Sequence, residues 1–216
     1  MSKVQPTERT RVRLRSERGV YEREAIYAII DEALVAHVGV CVDGEPRVIP
    51  TAIVRINDHV YIHGSPANQL LLALQRGAAA CITVTLVDSV VAGRSGFGMS
   101  MDYRSVMIFA QAEKIADLVE KERIVAAFVE DIMPGHIVRP PKKKELVATV
   151  FLRFPLTEAS AKIRDVGVVD PDEDLALDVC AGVVPLKMVA GAPQDCMQLK
   201  PGIPTPDYAK RYSRLR

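Results

Sequence analysis

Between His63 and Gln69 the chain reads His-Gly-Ser-Pro-Ala-Asn-Gln, and the chemistry these residue types suit is the capture of an anion. Val60, Tyr61 and Ile62 are β-formers, Gly64 breaks the strand, Ser65 is a good N-cap and Pro66 suits the first helical position. The pattern predicts a strand that runs straight into a helix closing at Gly77. A helix opened this way leaves the backbone N–H groups of Ala67, Asn68 and Gln69 unpaired at the positive end of its dipole, beside the Ser65 hydroxyl. Phosphate suits such a site. An ordinary capped connection is the competing reading of the same residues, because most capped helices bind nothing.

Other chemistries find less support. His59 and His63 have the spacing of a metal pair, but Val60, Tyr61 and Ile62 between them argue for a strand, where four residues span about 13 Å, too far for one ion. Cys41, Cys81, Cys180 and Cys196 are scattered with no C-x-x-C pair and no histidine at zinc-finger spacing, so most are expected to be buried thiols and no metal site is expected. No serine-histidine-acid or paired-carboxylate pattern points to hydrolysis.

The chain of 216 residues suits one large domain with an elaborated tail. A net charge of +1 gives no global pull toward nucleic acid or a membrane surface. No apolar run approaches the length of a membrane span, and the charged opening has no core for a secretory signal, so a cytoplasmic location is expected. Residues 1–20, with Arg9, Arg11, Arg13, Arg15 and Arg18, read as a basic arm, solvated and packed on a neighbouring subunit rather than on nucleic acid.

The elements that must position the anion stretch follow from periodicity. Ile26, Ile29, Ile30 and Ala33 recur at helical spacing after Glu22. Val35 to Val42 is a strand, Asp43-Gly44 is a hairpin turn, and Pro46 to Ile56 is the returning strand, with Pro50 demanding an edge, a bulge or a ligand. Asn57-Asp58 makes the next turn, so Val35 to His63 reads as a three-stranded meander. Ala78 to Val91 and Tyr103 to Ala112 are further strands, separated by the glycine-rich Gly93 to Gly98. Leu118 to Ile132 reads as a covering helix, and Leu146 to Phe154 as the sixth strand. After Pro155 the chain becomes acidic and proline-rich, but Ala181 to Leu186 is too apolar for a free linker, which favours an arm that wraps over something. The expected architecture is mainly β (α+β): a six-stranded antiparallel barrel over residues 21–155 with flanking helices, and a long C-terminal arm over 156–216 on the barrel or a dimer partner.

Six segments together carry a resemblance: Val48-Ile49-Pro50-Thr51, Tyr61 to Ser65, Thr83 to Asp88, Arg94-Ser95, Ser100 to Val106 and Ala181 to Leu186. In these the chain resembles the flavin-nucleotide-binding, nitroimidazole-reductase-like branch of the pyridoxamine 5'-phosphate oxidase-like superfamily, from about Thr10 to Pro206. The resemblance implies a split β-barrel homodimer with FMN, a nucleotide cofactor, at the subunit interface. It implies cofactor-binding roles for Ile49, Pro50, Thr51, His63, Gly64, Ser65, Asn68, Gln69, Arg94, Tyr103, Arg104 and Ser105. Arg94 reads equally as the partner of an acidic neighbour, and His63, the candidate to face a substrate, reads equally as a strand histidine bonded to backbone.

The chain also departs from that family. Asn68-Gln69 stand where serine-arginine is usual, Gly98 and Met99 where two histidines are frequent, Asp102 where asparagine is, and Cys180 where tryptophan is. Without the arginine a phosphate loses its charged, bidentate contact, so FMN affinity is expected to fall. Two functions remain open at this point. One is an FMN-dependent oxidoreductase acting on a small molecule. The other is a non-catalytic flavin- or haem-binding barrel protein, with His63 or His136 as the axial candidates for haem.

Overall fold

The computed structural model describes residues 2–213. Residue 1 and residues 214–216, the outer ends of the two segments expected to be arms, lie outside the described residues. The elements in chain order are β1 (Gly19–Val20), α1 (Arg23–Glu32), β2 (Val35–Val42), β3 (Glu45–Ala52), β4 (Val54–Ile56), β5 (His59–Gly64), α2 (Gln69–Gln75), β6 (Ala79–Ala92), β7 (Ser100–Gln111), β8 (Glu113–Lys114), α3 (Leu118–Ile132), α4 (Lys143–Ala148), β9 (Val150–Pro155), β10 (Ala159–Arg164), β11 (Gly182–Pro185) and α5 (Asp207–Lys210). The protein is mainly antiparallel sheet with five helices, an α+β architecture.

The strands form two sheets. The larger has the order β1-β10-β7-β6-β2-β3, with β11 also pairing β6, and the smaller has the order β4-β5-β9-β8. More than six strands are present and the sheet does not close on itself, so the strand pairing does not confirm the six-stranded split barrel expected from the sequence. The long strand expected over Pro46 to Ile56 breaks at Ile53, which is buried, and its two pieces, β3 and β4, pair in different sheets. The three-stranded meander is therefore two hairpins. Asp43 and Gly44, both at positive φ, close the first, and Asn57, also at positive φ, begins the turn of the second.

Burial alternates as the strand period requires. β2 buries Ala36, Val38 and Val40, and β6 buries Ala80, Ile82 and Val84, against Ile26, Ile29 and Ile30 of α1 and Leu70, Leu71 and Leu74 of α2. A second core lies between the smaller sheet and α3, where Tyr61, Ile124, Phe128 and Phe151 meet. Val60, Tyr61 and Ile62 are all buried because β5 has a core on each face. Lys121 is buried on α3, where its ammonium donates to the carbonyls of Leu146 and Thr149 at the end of α4.

Three boundaries differ from the sequence reading. Leu146 to Phe154 is not one strand: Leu146 ends inside α4, and β9 starts at Val150. β10, inside the span read as arm, is a full strand of the larger sheet pairing both β7 and β1, so the extended arm begins after Arg164. The N-terminal segment packs on its own chain, with Val4 in the main core and Arg9 paired to Glu158. Nor are the thiols buried. Cys41 sits on the outward face of β2 and Cys180 and Cys196 on the arm, all exposed, while Cys81 is half-buried.

The root of the arm is held by a buried polar cluster. The Asp102 carboxylate accepts from Ser89 Oγ at 2.9 Å, from the Val166 N–H at 3.3 Å and from the Arg164 guanidinium, which also donates to the Gly167 carbonyl at 2.8 Å. Burial by itself raises the Asp102 pKa. The Ser89 hydroxyl, the Val166 N–H and Arg164 outweigh it and hold the carboxyl below the usual carboxylate range. Asp102→Ala strands a buried guanidinium and should cost about 3 kcal/mol in urea unfolding. The folded pKa lies below the unfolded value of about 3.9, so this stabilisation is present above that pH and lost as pH falls through the folded pKa. The wild-type arm should therefore become protease-sensitive on acidification, and an arm whose cleavage does not change with pH would contradict this role.

Candidate functional site

The helix start at the anion stretch lies three residues later than the sequence predicts. β5 ends at Gly64, residues 65–68 form a turn, and Asn68, not Ser65, is the N-cap of α2. Asn68 Oδ1 accepts from the Leu70 and Leu71 N–H groups at 2.9 and 3.3 Å. Ser65 closes the turn instead, its hydroxyl oxygen accepting from the Ala67 N–H at 3.2 Å and its carbonyl from the Asn68 N–H at 3.0 Å. Two of the three amides expected to face an anion are thus internally paired. The residue types that suited a cap at Ser65 suited one equally at Asn68, and the packing of Leu70, Leu71 and Leu74 into the core selects the later one. A Cβ at Gly64 would lie 2.9 Å from Leu71 Cδ1, so a larger residue there would have to push the end of that leucine aside.

The residues expected to form the site fall into three groups. Ile49, Thr51, His63 and Asn68 line one crevice of about 30 Å³, together with Ile62, Leu70 and Leu71. Gly64, Ser65 and Gln69 adjoin it at the end of β5 and the start of α2. Its outer wall is β3, the terminal strand of the larger sheet, so Pro50 does sit on an edge, where a missing N–H is tolerated. Pro50 pairs with His37 on the opposite face of β3 from Ile49 and Thr51. The second group, Tyr103 and Ser105, lies on β7 opposite Val87 and Thr85, and Ser105 donates to the Lys162 carbonyl at 3.3 Å.

The third group is committed to carboxylates. Arg94 donates from its backbone N–H and from Nη1, at 3.2 and 3.0 Å, to the fully buried side chain of Asp170, which is the acidic-neighbour reading of that residue. Its Nε is buried with no hydrogen-bond partner. Arg104 donates to both oxygens of Glu32 at 2.6 and 2.9 Å and, through Nη2 and Nε, to Asp88 at 2.7 and 3.0 Å. Glu32 and then Asp88 push the guanidinium pKa further up, so Arg104 is permanently charged and fastens α1 to β6 and β7. Glu32 and Asp170 carry no sequence signal for these roles, because each is brought to its arginine across more than 70 positions of chain.

His63 stands on the crevice with its ring edge-on to Phe128, centroids 4.6 Å apart, and stacked on Phe151 at 5.5 Å. His63 keeps an exposed side, and partial desolvation by these rings pushes the imidazolium pKa down, so the ring is neutral at physiological pH and one of its nitrogens is then an acceptor or a ligand. Among the described residues no group of three or more histidines, cysteines or acids is placed to hold a metal ion, and no helix is long and apolar enough to cross a membrane.

A family model described as pyridoxamine 5'-phosphate oxidase matches residues 22–163. The structure of the flavocytochrome Anf3 from Azotobacter vinelandii is 35% identical, covering 96% of this chain and 98% of its own, with a TM-score of 0.90. The FAD and haem binding protein from Mycobacterium smegmatis is 34% identical, covering 88% of this chain and 95% of its own, with a TM-score of 0.84. A 5-nitroimidazole antibiotic resistance protein from Bacteroides thetaiotaomicron, 23% identical over 67% of this chain and 86% of its own with a TM-score of 0.59, shares the fold. No curated protein sequence matches the chain.

Two measurements check this geometry. Arg104→Ala leaves Glu32 and Asp88 facing each other and should cost about 1–3 kcal/mol in chemical unfolding, discounted for their partial exposure. For His63, the folded pKa lies below the unfolded value of about 6.5, so its contribution is full above that pH and falls below it, where the unfolded chain takes up a proton first. Phe128→Ala should move the His63 ring resonances in an NMR titration toward the ordinary pKa, and an unmoved midpoint would show that the two aromatic neighbours are not its cause.

Proposed function

The chain belongs to the pyridoxamine 5'-phosphate oxidase family, and on that premise we propose that it is a flavin-dependent oxidoreductase, working as a homodimer, with haem as a second prosthetic group. The observation that carries the reading is the convergence of Thr51, His63 and Asn68 on the edge strand β3, in a crevice that one chain leaves open. About 30 Å³ is room for a water, not a flavin, so a flavin would need space outside the crevice, which a second copy of the chain would enclose. Support for that copy comes from the exposed apolar residues of the larger sheet and of the arm, among them Val48, Met107, Leu175 and Val189.

When bound, a flavin supplies hydride or single-electron transfer. The chain's own residues supply its binding and orientation. The edge of β3 offers unpaired backbone donors and acceptors to the polar rim of a flavin ring, and Pro50 makes its own position an acceptor only. The Ser65 hydroxyl and the side-chain amides of Asn68 and Gln69 would hold the phosphate end. Asn68 uses its oxygen as the helix cap and keeps its NH₂ donors. All three are neutral, and Arg94 and Arg104 are held by carboxylates. A neutral donor set suits the singly charged phosphates of a dinucleotide better than the nearly dianionic monoester of FMN, so FAD is the flavin this donor set favours.

The haem reading is favoured by His63. It presents a neutral imidazole beside Phe128 and Phe151 that would suit an iron ligand, and His136, whose Nδ1 is hydrogen-bonded to the Tyr208 hydroxyl at 2.6 Å, keeps Nε2 as the second candidate.

The test is an absorption spectrum of the purified protein, reconstituted with FAD, FMN or haem, with the oligomer measured by sedimentation. Tighter binding of FAD than of FMN, weakened several-fold by Ser65→Ala with Asn68→Ala, is the expected result, and His63→Ala should abolish the haem Soret band and, because His63 lines the crevice, weaken the flavin as well. Absence of flavin binding at high micromolar concentration would overturn the oxidoreductase reading. A flavin-loaded dimer that never accepts electrons from a chemical or nicotinamide donor would leave a carrier rather than an enzyme.

A further inference from the structure

The larger ligand-sized space in this part of the fold is not the crevice but a cavity of about 450 Å³ where the arm crosses the end of the larger sheet. Its volume falls in the range of about 300–1,000 Å³ that encloses small organic ligands. Its floor is Leu86, Val87 and Asp88 of β6 with Arg104 of β7, and Glu32 closes one side. Its roof is Lys187 and Met188, brought there because β11 pairs with the last residues of β6 and the Leu186 N–H donates to the Asp88 carbonyl at 2.9 Å.

The arrangement of charge in this cavity is specific. Asp88 is committed to Arg104 through Nε and Nη2, yet its side chain is 36% exposed and a carboxylate has about four lone-pair sites, so acceptor capacity remains toward the cavity. Lys187, exposed on the arm, lines the same cavity. An acid on the floor and a base on the roof, with Leu86, Val87 and Met188 as apolar wall between them, make a pocket polarised across its width. Arg104 is shared between Glu32 and Asp88, so a purely anionic ligand would use Lys187 but not the remaining acceptor sites of Asp88, and a purely cationic one would use Asp88 but not Lys187.

We infer that this cavity binds a small zwitterion of the apolar amino-acid type, its ammonium on Asp88, its carboxylate on Lys187 and its side chain against Val87 and Met188. The site is separate from the crevice proposed for the flavin and does not rest on that reading.

The chain contains no tryptophan, so L-tryptophan is its own reporter: indole fluorescence excited at the red edge comes from the probe alone. Titration of the full-length protein, with and without bound flavin, should show saturable binding of one probe per chain. Tryptamine, which lacks the carboxylate, and indole-3-propionate, which lacks the amine, should each bind about tenfold more weakly. Lys187→Met, on an exposed part of the arm, should weaken tryptophan about tenfold while leaving tryptamine unchanged or tighter. Asp88→Asn should do the reverse with indole-3-propionate, and circular dichroism checks that its loosened hold on Arg104 has not unfolded the chain. The inference is overturned by the absence of saturable binding at millimolar probe, by tryptamine or indole-3-propionate matching tryptophan, by an indifferent Lys187→Met, or by displacement of the probe when flavin is added, which would make the cavity part of the flavin site.

Discussion

The pairing of β6 with β7 carries one extra residue, and the arrangement of this molecule depends on it. Val87 stands opposite Tyr103 and Ser89 opposite Asp102, so Asp88 is a bulge with no partner of its own. Up to Leu86 the even-numbered residues of β6 face the core, and beyond the bulge the odd ones do, with Ser89 and Val91 buried and Val90 exposed. That change of parity places Ser89 under the Asp102 carboxylate, where it holds the root of the arm. It also turns the Asp88 side chain to Arg104 and leaves the Asp88 carbonyl to receive the Leu186 N–H of the arm. Without the extra residue, side chains on one half of the strand would point to the wrong face.

Three arginines of the sheet region are committed internally as a consequence. Arg94 is held by Asp170, Arg104 by Glu32 and Asp88, and Arg164 by Asp102, each partner coming from a distant part of the chain. Such pairs specify one arrangement more than they add stability, since burying both charges costs much of what their attraction returns. None of the three lines the crevice, whose lining residues include no arginine or lysine. What remains there is a hydroxyl, two carboxamides, a neutral imidazole and strand backbone, a donor set suited to a ligand of low charge density and extended polar edge.

A single chain presents its crevice on an edge strand and its arm as an extended segment that, beyond the root held by Asp102 and Arg94, is largely exposed and touches its own fold at two further places. One is the β11 pairing with β6, and the other is Tyr208 against Gly135 and His136. Apolar residues between these anchors, such as Met197, gain nothing from the fold of their own chain. The proposed homodimer gives them a partner and gives the crevice a second wall, so assembly and cofactor binding are parts of one reading.

Local physics was legible in the sequence. Ile26, Ile29 and Ile30 at helical spacing, the Asp43-Gly44 turn and the run from Leu118 to Ile132 each depend on residues within one or two turns of each other, and each element formed where its pattern lay. Pro50 announced an edge for the equally local reason that it has no N–H to give a second neighbour. The cluster of Ile49, Thr51, His63 and Asn68 was legible through family likeness and was brought together by the fold. Tertiary structure alone decided the rest. Ser65 and Asn68 are equal as caps until the core takes Leu70, Leu71 and Leu74. Nothing in the sequence around Arg104 announces that Glu32 and Asp88 pair with it. The strand from Pro46 to Ile56 reads as continuous until Ile53 is drawn into the core between two sheets. In each case the local energies are nearly balanced, and contacts between residues far apart in the chain select among them.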